Sequence, residues 1–340
     1  MSNNLLGVDI GASNIKIVEL KETKSGFAVK NIFLARTPAS TVVDGSVIDH
    51  GAVSKVISDT IAHAKGIQKD AALAIHGADV IVKKLKLPWN GKGNFQETFL
   101  WSAEQYMGIS AERASFDAQL ISFDMERQIA ETVLAAASKD KIADLLTAAS
   151  QSGLEPIVVD IEALALVNLI TQFKGAQGHV NAIIDIGHDA VRIIFYENGH
   201  VDSITTIFKG GKFMAEDLAK DMEIDPEKAE DILRDTEAMD SDADAQAAAM
   251  AYGSSIGSEI ETAIEVYMQE KGKEPIDFYA CGAVSYVSEV LSNIETSMGV
   301  SVSHIDPFKY IEIPANLRPI VDASGAGTFA VAAGLAMRKS

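Results

Sequence analysis

Apolar residues come in short runs along this chain, and the spacing within the runs alternates between two periods. Residues 5–10 are largely apolar and end in Asp9 and Ile10 before Gly11. Residues 15–20 form a second run, with Val18 and Leu20 flanking Glu19. A polar turn over 21–26 separates this from residues 27–34, which resume a strand-like composition. The pattern predicts three consecutive antiparallel strands. Asp49 then opens a helix with Val53, Val56, Ile57 and Ile61 on one face, stopping near Gly66. Residues 71–75 and 80–85 are again strand-like.

The pattern changes between Trp89 and Gly153. A stretch with Asn90, Gly91 and Gly93 leads into a helix over about 95–106. Strands follow near 116–123 and 131–137, then a helix over 139–152. This reads as a small α+β subdomain, inserted over about 86–155. Residues 157–160 form a buried strand, and 162–173 a helix.

The nine residues from Asp9 to Ile17, DIGASNIKI, are echoed by Asp185 to Ile193, DIGHDAVRI. Aspartate, glycine and a basic residue (Lys16, Arg192) fall at matching places. Each copy lies between two apolar strands, which favours duplication. Further on, residues 223–244 hold ten carboxylates against Lys228 and Arg234, a solvated helical face and linker. Asp240, Asp242 and Asp244 imitate the start of a calcium loop. Ala245 and Ala251 stand where that loop needs glycine and a bidentate glutamate, so no calcium site is expected. Ile256, Ile260, Ala263, Ile264 and Tyr267 mark a long amphipathic helix. Residues 277–281 form a strand running into Gly282, and 329–337 an apolar closing helix.

Composition narrows the function. The chain has 340 residues, enough for two domains, with 47% hydrophobic and 23% charged residues, as in ordinary globular proteins. A formal net charge of −19 repels nucleic-acid phosphates and anionic headgroups. No nucleic-acid partner is expected, nor direct membrane insertion. The longest apolar stretch, 157–170, carries Asp160 and Glu162, costly in hydrocarbon. The first residues lack a basic region and a long apolar stretch, unlike a signal peptide. Cys281 is the lone cysteine, which fits a reducing compartment. These features predict a cytoplasmic protein.

The candidate chemistry lies in the two repeats. A strand ending in Asp-x-Gly, then a small turn and a second strand, makes a phosphate-binding hairpin. Glycine lets backbone approach a phosphate closely, and successive N–H groups with Ser13 can point at its oxygens. Lys16 supplies positive charge. Asp9 and Asp185 are placed to hold a hydrated magnesium ion between the hairpins, since magnesium keeps several waters and uses few carboxylates. Trp89 and Trp101 read as packing residues. The histidines show no metal-ligand spacing.

The duplicated hairpins resemble the phosphate loops of the actin, Hsp70 and sugar-kinase superfamily. Within it the chain is similar to the PilM family and, more distantly, to FtsA. The likeness rests on LLGVDIGASNIKIVEL (5–20), VVDGSVIDHGAV (42–53), TFLWSAEQYM (98–107), SGLEPIVVDIEALAL (152–166) and GLAMR (334–338). It implies an α/β, actin-like (ribonuclease H-like, duplicated) two-domain fold with the small α+β subdomain inserted in the first domain. The first domain is expected over 1–179, the second over 180–320, and a C-terminal helix, 321–340, returns to the first.

By that resemblance, ATP with magnesium binds between the domains. Gly11, Ser13, Asn14 and Lys16 match the first phosphate loop, and Asp185 and Gly187 the second. Gly210 and Gly211 match a nucleotide-contacting glycine pair, and Glu230 a position that meets the ribose. Gly282 and Ala283 match the adenosine loop. Glu162 lies where relatives place a carboxylate that orients the attacking water. The implied partner is the N-terminal cytoplasmic peptide of a PilN-like inner-membrane protein, with other pilus platform proteins and motor ATPases behind it. The chain would then sit peripheral to the inner membrane through protein partners, as a scaffold of type IV pilus assembly. A small-molecule kinase and a filament-forming ATPase are the alternatives.

Several residues depart from the superfamily pattern. His188, Asp189, Ala190 and Val191 stand where the second loop normally carries serine or threonine. Asp189 adds negative charge beside a polyphosphate, and Ala190 and Val191 cannot donate. Leu233 replaces a lysine near the base. At most a weak ATPase is implied.

Overall fold

The computed structural model of the chain describes residues 5–24, 26–100 and 103–339. Its first lobe starts with β1 (Leu6–Ile10), β2 (Asn14–Thr23) and β3 (Gly26–Arg36), paired antiparallel in succession. The two-residue strands β4 (Val42–Val43) and β5 (Ser46–Val47) make a small hairpin. Helix α1 (His50–Ile61) follows, capped by Asp49, whose side chain accepts from the Ala52 N–H. Its buried face carries Val53, Ile57 and Ile61. Strand β6 (Asp70–Ile75) then lies parallel to β1.

Next comes a separate three-stranded sheet. It contains β7 (Ile81–Pro88), α2 (Phe95–Leu100), α3 (Ala103–Met107), β8 (Ala114–Asp124) and β9 (Ile129–Ser138), in the order β7-β9-β8. Alternate residues of β9 face two cores. Ala130, Leu134 and Ala136 pack with Phe99 and Met107, and Val133 and Ala137 join the main core. Trp89 meets Phe95 and Phe123 edge-on, as a packing residue. Trp101 lies outside the described residues. The strands of this sheet lie between Ile81 and Ser138, within and just before the stretch of about 86–155 expected for the inserted subdomain. The helix after it, α4 (Lys139–Gln151), packs on α1, and β10 (Glu155–Ile161) joins the main sheet beside β6. Both bury their apolar faces in the first lobe, which sequence periodicity cannot assign. Helix α5 (Glu162–Lys174) completes this part.

The second lobe repeats the first. Strands β11 (Val180–Ile186), β12 (Val191–Glu197) and β13 (His200–Ile207) pair antiparallel. Helices α6 (Gly211–Asp221), α7 (Pro226–Arg234), α8 (Thr236–Ser241) and α9 (Ala243–Lys271) follow. Strand β14 (Asp277–Cys281) lies parallel to β11, α10 (Ser288–Met298) comes next, and the short β15 (Ser303–His304) is parallel to β14. The sheet orders are β10-β6-β1-β2-β3 and β13-β12-β11-β14-β15, one topology used twice. Helix α9 starts well before the apolar face that announces it. Asp242 caps it, accepting from the N–H groups of Asp244 and Ala245. That cap explains one member of the calcium-like triplet.

The chain ends with α11 (Arg318–Ser324) and α12 (Ala330–Ala336). Every residue of α12 is buried in the core of the first lobe, beside β1 and α5. Among the described residues, no single helix is long and apolar enough to cross a membrane.

Candidate functional site

The two repeat hairpins face each other across a cleft. In each ladder the aspartate stands opposite the basic residue: Asp9 opposite Lys16, and Asp185 opposite Arg192. The tips close alike. The Gly11 N–H donates to the Asn14 carbonyl at 3.1 Å, and the Gly187 N–H to the Ala190 carbonyl at 3.0 Å. Thr37 braces the first tip from the end of β3. Its N–H donates to the Ser13 carbonyl and its hydroxyl to the Gly11 carbonyl at 2.7 Å. The N-terminus of α6 braces the second, with Gly211 N–H donating to Gly187 O and Lys212 N–H to His188 O, both at 2.9 Å. Among the described residues, no protein acceptor meets the N–H groups of Ala12, Ser13, His188 or Asp189. Each tip thus keeps two successive donors for an anion.

The floor of the cleft is buried and charged. Asp9, Glu162 and Asp185 are 5 to 6% exposed. Lys16 Nζ lies 3.0 Å from Asp9 Oδ2. Burial pulls the Lys16 ammonium down, but Asp9 prevails and keeps it charged. Arg192 reaches between the other two carboxylates, 3.7 Å from Asp185 and 3.8 Å from Glu162. His76 Nδ1 approaches Glu162 Oε2 at 2.9 Å. Burial raises the Glu162 carboxyl, yet Arg192 and His76 hold it well below the carboxylate range. Asp185 goes the opposite way, raised by burial and by Glu162 beside it. Two close buried carboxyls are driven apart in this way, one held low and the other raised. The Cys281 thiol, 3.4 Å from Asp185, is pushed well up by burial and that neighbour, so it is no nucleophile.

At the rim, a chain of polar contacts crosses from lobe to lobe. The Asp44 N–H donates to Asp189 Oδ2 at 3.2 Å. Asp189 Oδ1 lies 2.8 Å from His188 Nδ1, and His188 Nε2 lies 2.9 Å from Glu230 Oε1. Arg234 donates to Glu230 Oε2 at 2.6 Å and to Ser13 Oγ at 2.8 Å. Burial pulls the His188 imidazolium down, but Asp189 and Glu230 push it up to about 9. His188 is therefore cationic at neutral pH. The charge that Asp189 was expected to add beside a phosphate is neutralised within its own loop.

The cleft encloses about 680 Å³. Asp9, Gly11, Ser13, Asn14, Lys16, Glu162, Asp185, Gly187, Gly211, Glu230, Gly282 and Ala283 all line it. Gly210 does not. It sits behind the second hairpin, where a Cβ would come within 2.2 Å of the His188 carbonyl. Sequence reasoning missed His76, Arg234 and the segment 318–328, which also line the cleft. Arg192 was visible as the echo of Lys16. Nothing local marks the others, since distant segments bring them in.

A family model described as type IV pilus assembly protein PilM matches residues 7–340. The chain belongs to this family. A solved PilM–PilN type IV pilus biogenesis complex contains a chain of like fold, with TM-score 0.84 and 22% identity over 98% of both chains. The ethanolamine utilization protein EutJ from Carboxydothermus hydrogenoformans matches with TM-score 0.58 and 16% identity, over 98% of this chain and 89% of that one. MreB5 of Spiroplasma citri, solved bound to AMPPNP, matches with TM-score 0.52 and 11% identity, over 98% and 94%. With the twice-used sheet order, these matches establish the actin-like two-domain α/β fold. Type IV pilus assembly is the process this PilM-family chain serves.

Proposed function

We propose that this PilM-family chain is a nucleotide-occupied scaffold of the type IV pilus platform. ATP with magnesium binds between the lobes, and the N-terminal cytoplasmic tail of a PilN-like inner-membrane protein docks as an extended peptide near the three-stranded sheet. The observation that carries the nucleotide half is the matched pair of tips, each with two unpaired N–H groups, above buried carboxylates. Gly11, Ser13, Asn14, Lys16 and Gly187 take the phosphates. Glu230 meets the ribose, and Gly282 and Ala283 the adenosine. Gly210 and Gly211 act by letting α6 seat against the second tip. MreB5, of like fold, is solved with AMPPNP.

The donor set suits magnesium. Asp9 and Asp185 offer carboxylate oxygens, the hard donors magnesium prefers, on a buried floor that also holds Glu162. Among the described residues, no cluster of three or more side chains is spaced to ligate a metal directly. That agrees with a hydrated ion held through water. When bound, the ion neutralises phosphate charge. Glu162, ionised, orients a water.

The peptide half rests on the family and on the solved PilM–PilN complex. Strand- or groove-bound peptides of this kind draw affinity from main-chain bonds and side-chain pockets. Other platform proteins and motor ATPases would reach the chain through that partner, at the cytoplasmic face of the inner membrane. Titration calorimetry with ATP, with and without magnesium, and then with a PilN tail peptide tests both halves. Saturable heats for each support the reading. Absence of any nucleotide signal with magnesium present removes the first half.

A further inference from the structure

The segment that leaves β6 for the small sheet and the helix that returns from it meet at one buried side chain. Lys141, in the first turn of α4, is 5% exposed. Its ammonium donates to the Asp44 carbonyl at 2.7 Å and to the His76 carbonyl at 3.1 Å, and it pairs with Asp79. Two neutral carbonyls thus take its hydrogen bonds and the Asp79 carboxylate balances its charge. Gly77, at φ +127°, leaves room for it: a Cβ there would come within 2.1 Å of the ammonium.

Both residues whose carbonyls Lys141 holds also reach the cleft. Asp44 donates its N–H across to Asp189 of the second lobe. The His76 ring faces Glu162 on the floor. The small sheet begins soon after, at Ile81, and ends at Ser138, just before α4. Asp44 sits at φ +45°, and its carboxylate accepts from the Ala78 N–H at 3.1 Å. The 44 loop and the 76–80 segment are thus fastened to each other as well as to Lys141.

We propose that Lys141 couples the state of the cleft to the placement of the three-stranded sheet. A movement of Asp189 against the first lobe pulls on Asp44. A buried ammonium cannot release one of these carbonyls without leaving an N–H donor unsatisfied. The 44 loop, the entry segment and the start of α4 therefore move as one body, and the small sheet moves with them. Nucleotide occupancy, on the reading given above, is the natural driver, but the linkage itself needs none.

Hydrogen exchange on the full chain tests it in two arms. Without nucleotide, Asp189→Ala is compared in the native and the Lys141→Met backgrounds. Exchange of the β7 and β9 amides is expected to change about fivefold in the native background, a coupling of ordinary size, and not in the Lys141→Met background. Equal change in both backgrounds, or none in the native one, overturns the proposal. In the second arm, saturating magnesium–ATP is expected to protect the cleft hairpins in both backgrounds but to alter β7 and β9 only when Lys141 is present. Unprotected hairpins in both backgrounds count against nucleotide binding alone, and the first arm still decides the coupling. If Lys141→Met does not fold, the native background decides alone: unchanged exchange of the β7 and β9 amides in Asp189→Ala overturns the proposal.

Discussion

His188 Nε2 lies 2.9 Å from Glu230 Oε1, and that contact makes the second hairpin tip a cationic site held between two carboxylates. Its folded pKa is raised to about 9. A raised histidine contributes stability that is fully present below its unfolded pKa and is lost as pH rises through the folded one. Melting temperature should therefore fall between about pH 6.5 and 9 in the native protein. A His188→Gln variant should lose most of that slope. Asp189 and Glu230 are held down by the same histidine. Their share is lost only at acid pH, outside this window. Thermal melts in a pH series check both limbs.

Lys16→Ala should weaken nucleotide binding by roughly ten- to a hundredfold, the worth of a charge-assisted hydrogen bond to phosphate. The lost Lys16–Asp9 pair also leaves Asp9 short of a partner, so a modest drop in melting temperature should accompany it. A fluorescent-nucleotide titration beside a circular dichroism spectrum separates the two effects. Equal affinity in both proteins would remove Lys16 from the phosphate site.

Turnover of ATP should stay far below about one per second, the low end of ordinary enzymes. Ala190 and Val191 are buried in the second lobe and offer no side-chain donor. A missing donor to the transferring phosphoryl group typically costs about a hundredfold or more in rate. Phosphate release by the native protein, read beside Asp9→Ala and Glu162→Ala, is the check. Turnover near one per second, abolished by either change, would falsify this expectation.

Phe195→Ala should cost about 3–5 kcal/mol of stability. Phe195 is fully buried and stacks on Tyr267 with ring centroids 4.0 Å apart. Tyr267 in turn donates to Asp202 at 3.0 Å from inside the core. The lost ring therefore opens a cavity beside a polar contact that cannot relax freely. Denaturant melts of the native and variant proteins measure it.

Much of this was legible in the sequence because the decisive signals are local. The strand pairs β1–β2 and β11–β12 are hairpins of adjacent residues, so alternation and the Asp-x-Gly turn announce them. The repeat DIGASNIKI and DIGHDAVRI is short and contiguous, and its register in the ladders follows from its spacing. The caps Asp49 and Asp242 likewise act within three residues. What only the tertiary structure decided lies where segments far apart in the chain meet. Arg234 reaches Ser13 across 221 positions, and Asp189 meets the Asp44 N–H across 145. His76 comes to Glu162 because β6 and β10 are parallel neighbours. The upward shifts of Asp185 and His188 belong to the same class. A pKa is set by burial and by the nearest charges in space, and neither is encoded in the order of residues along the chain.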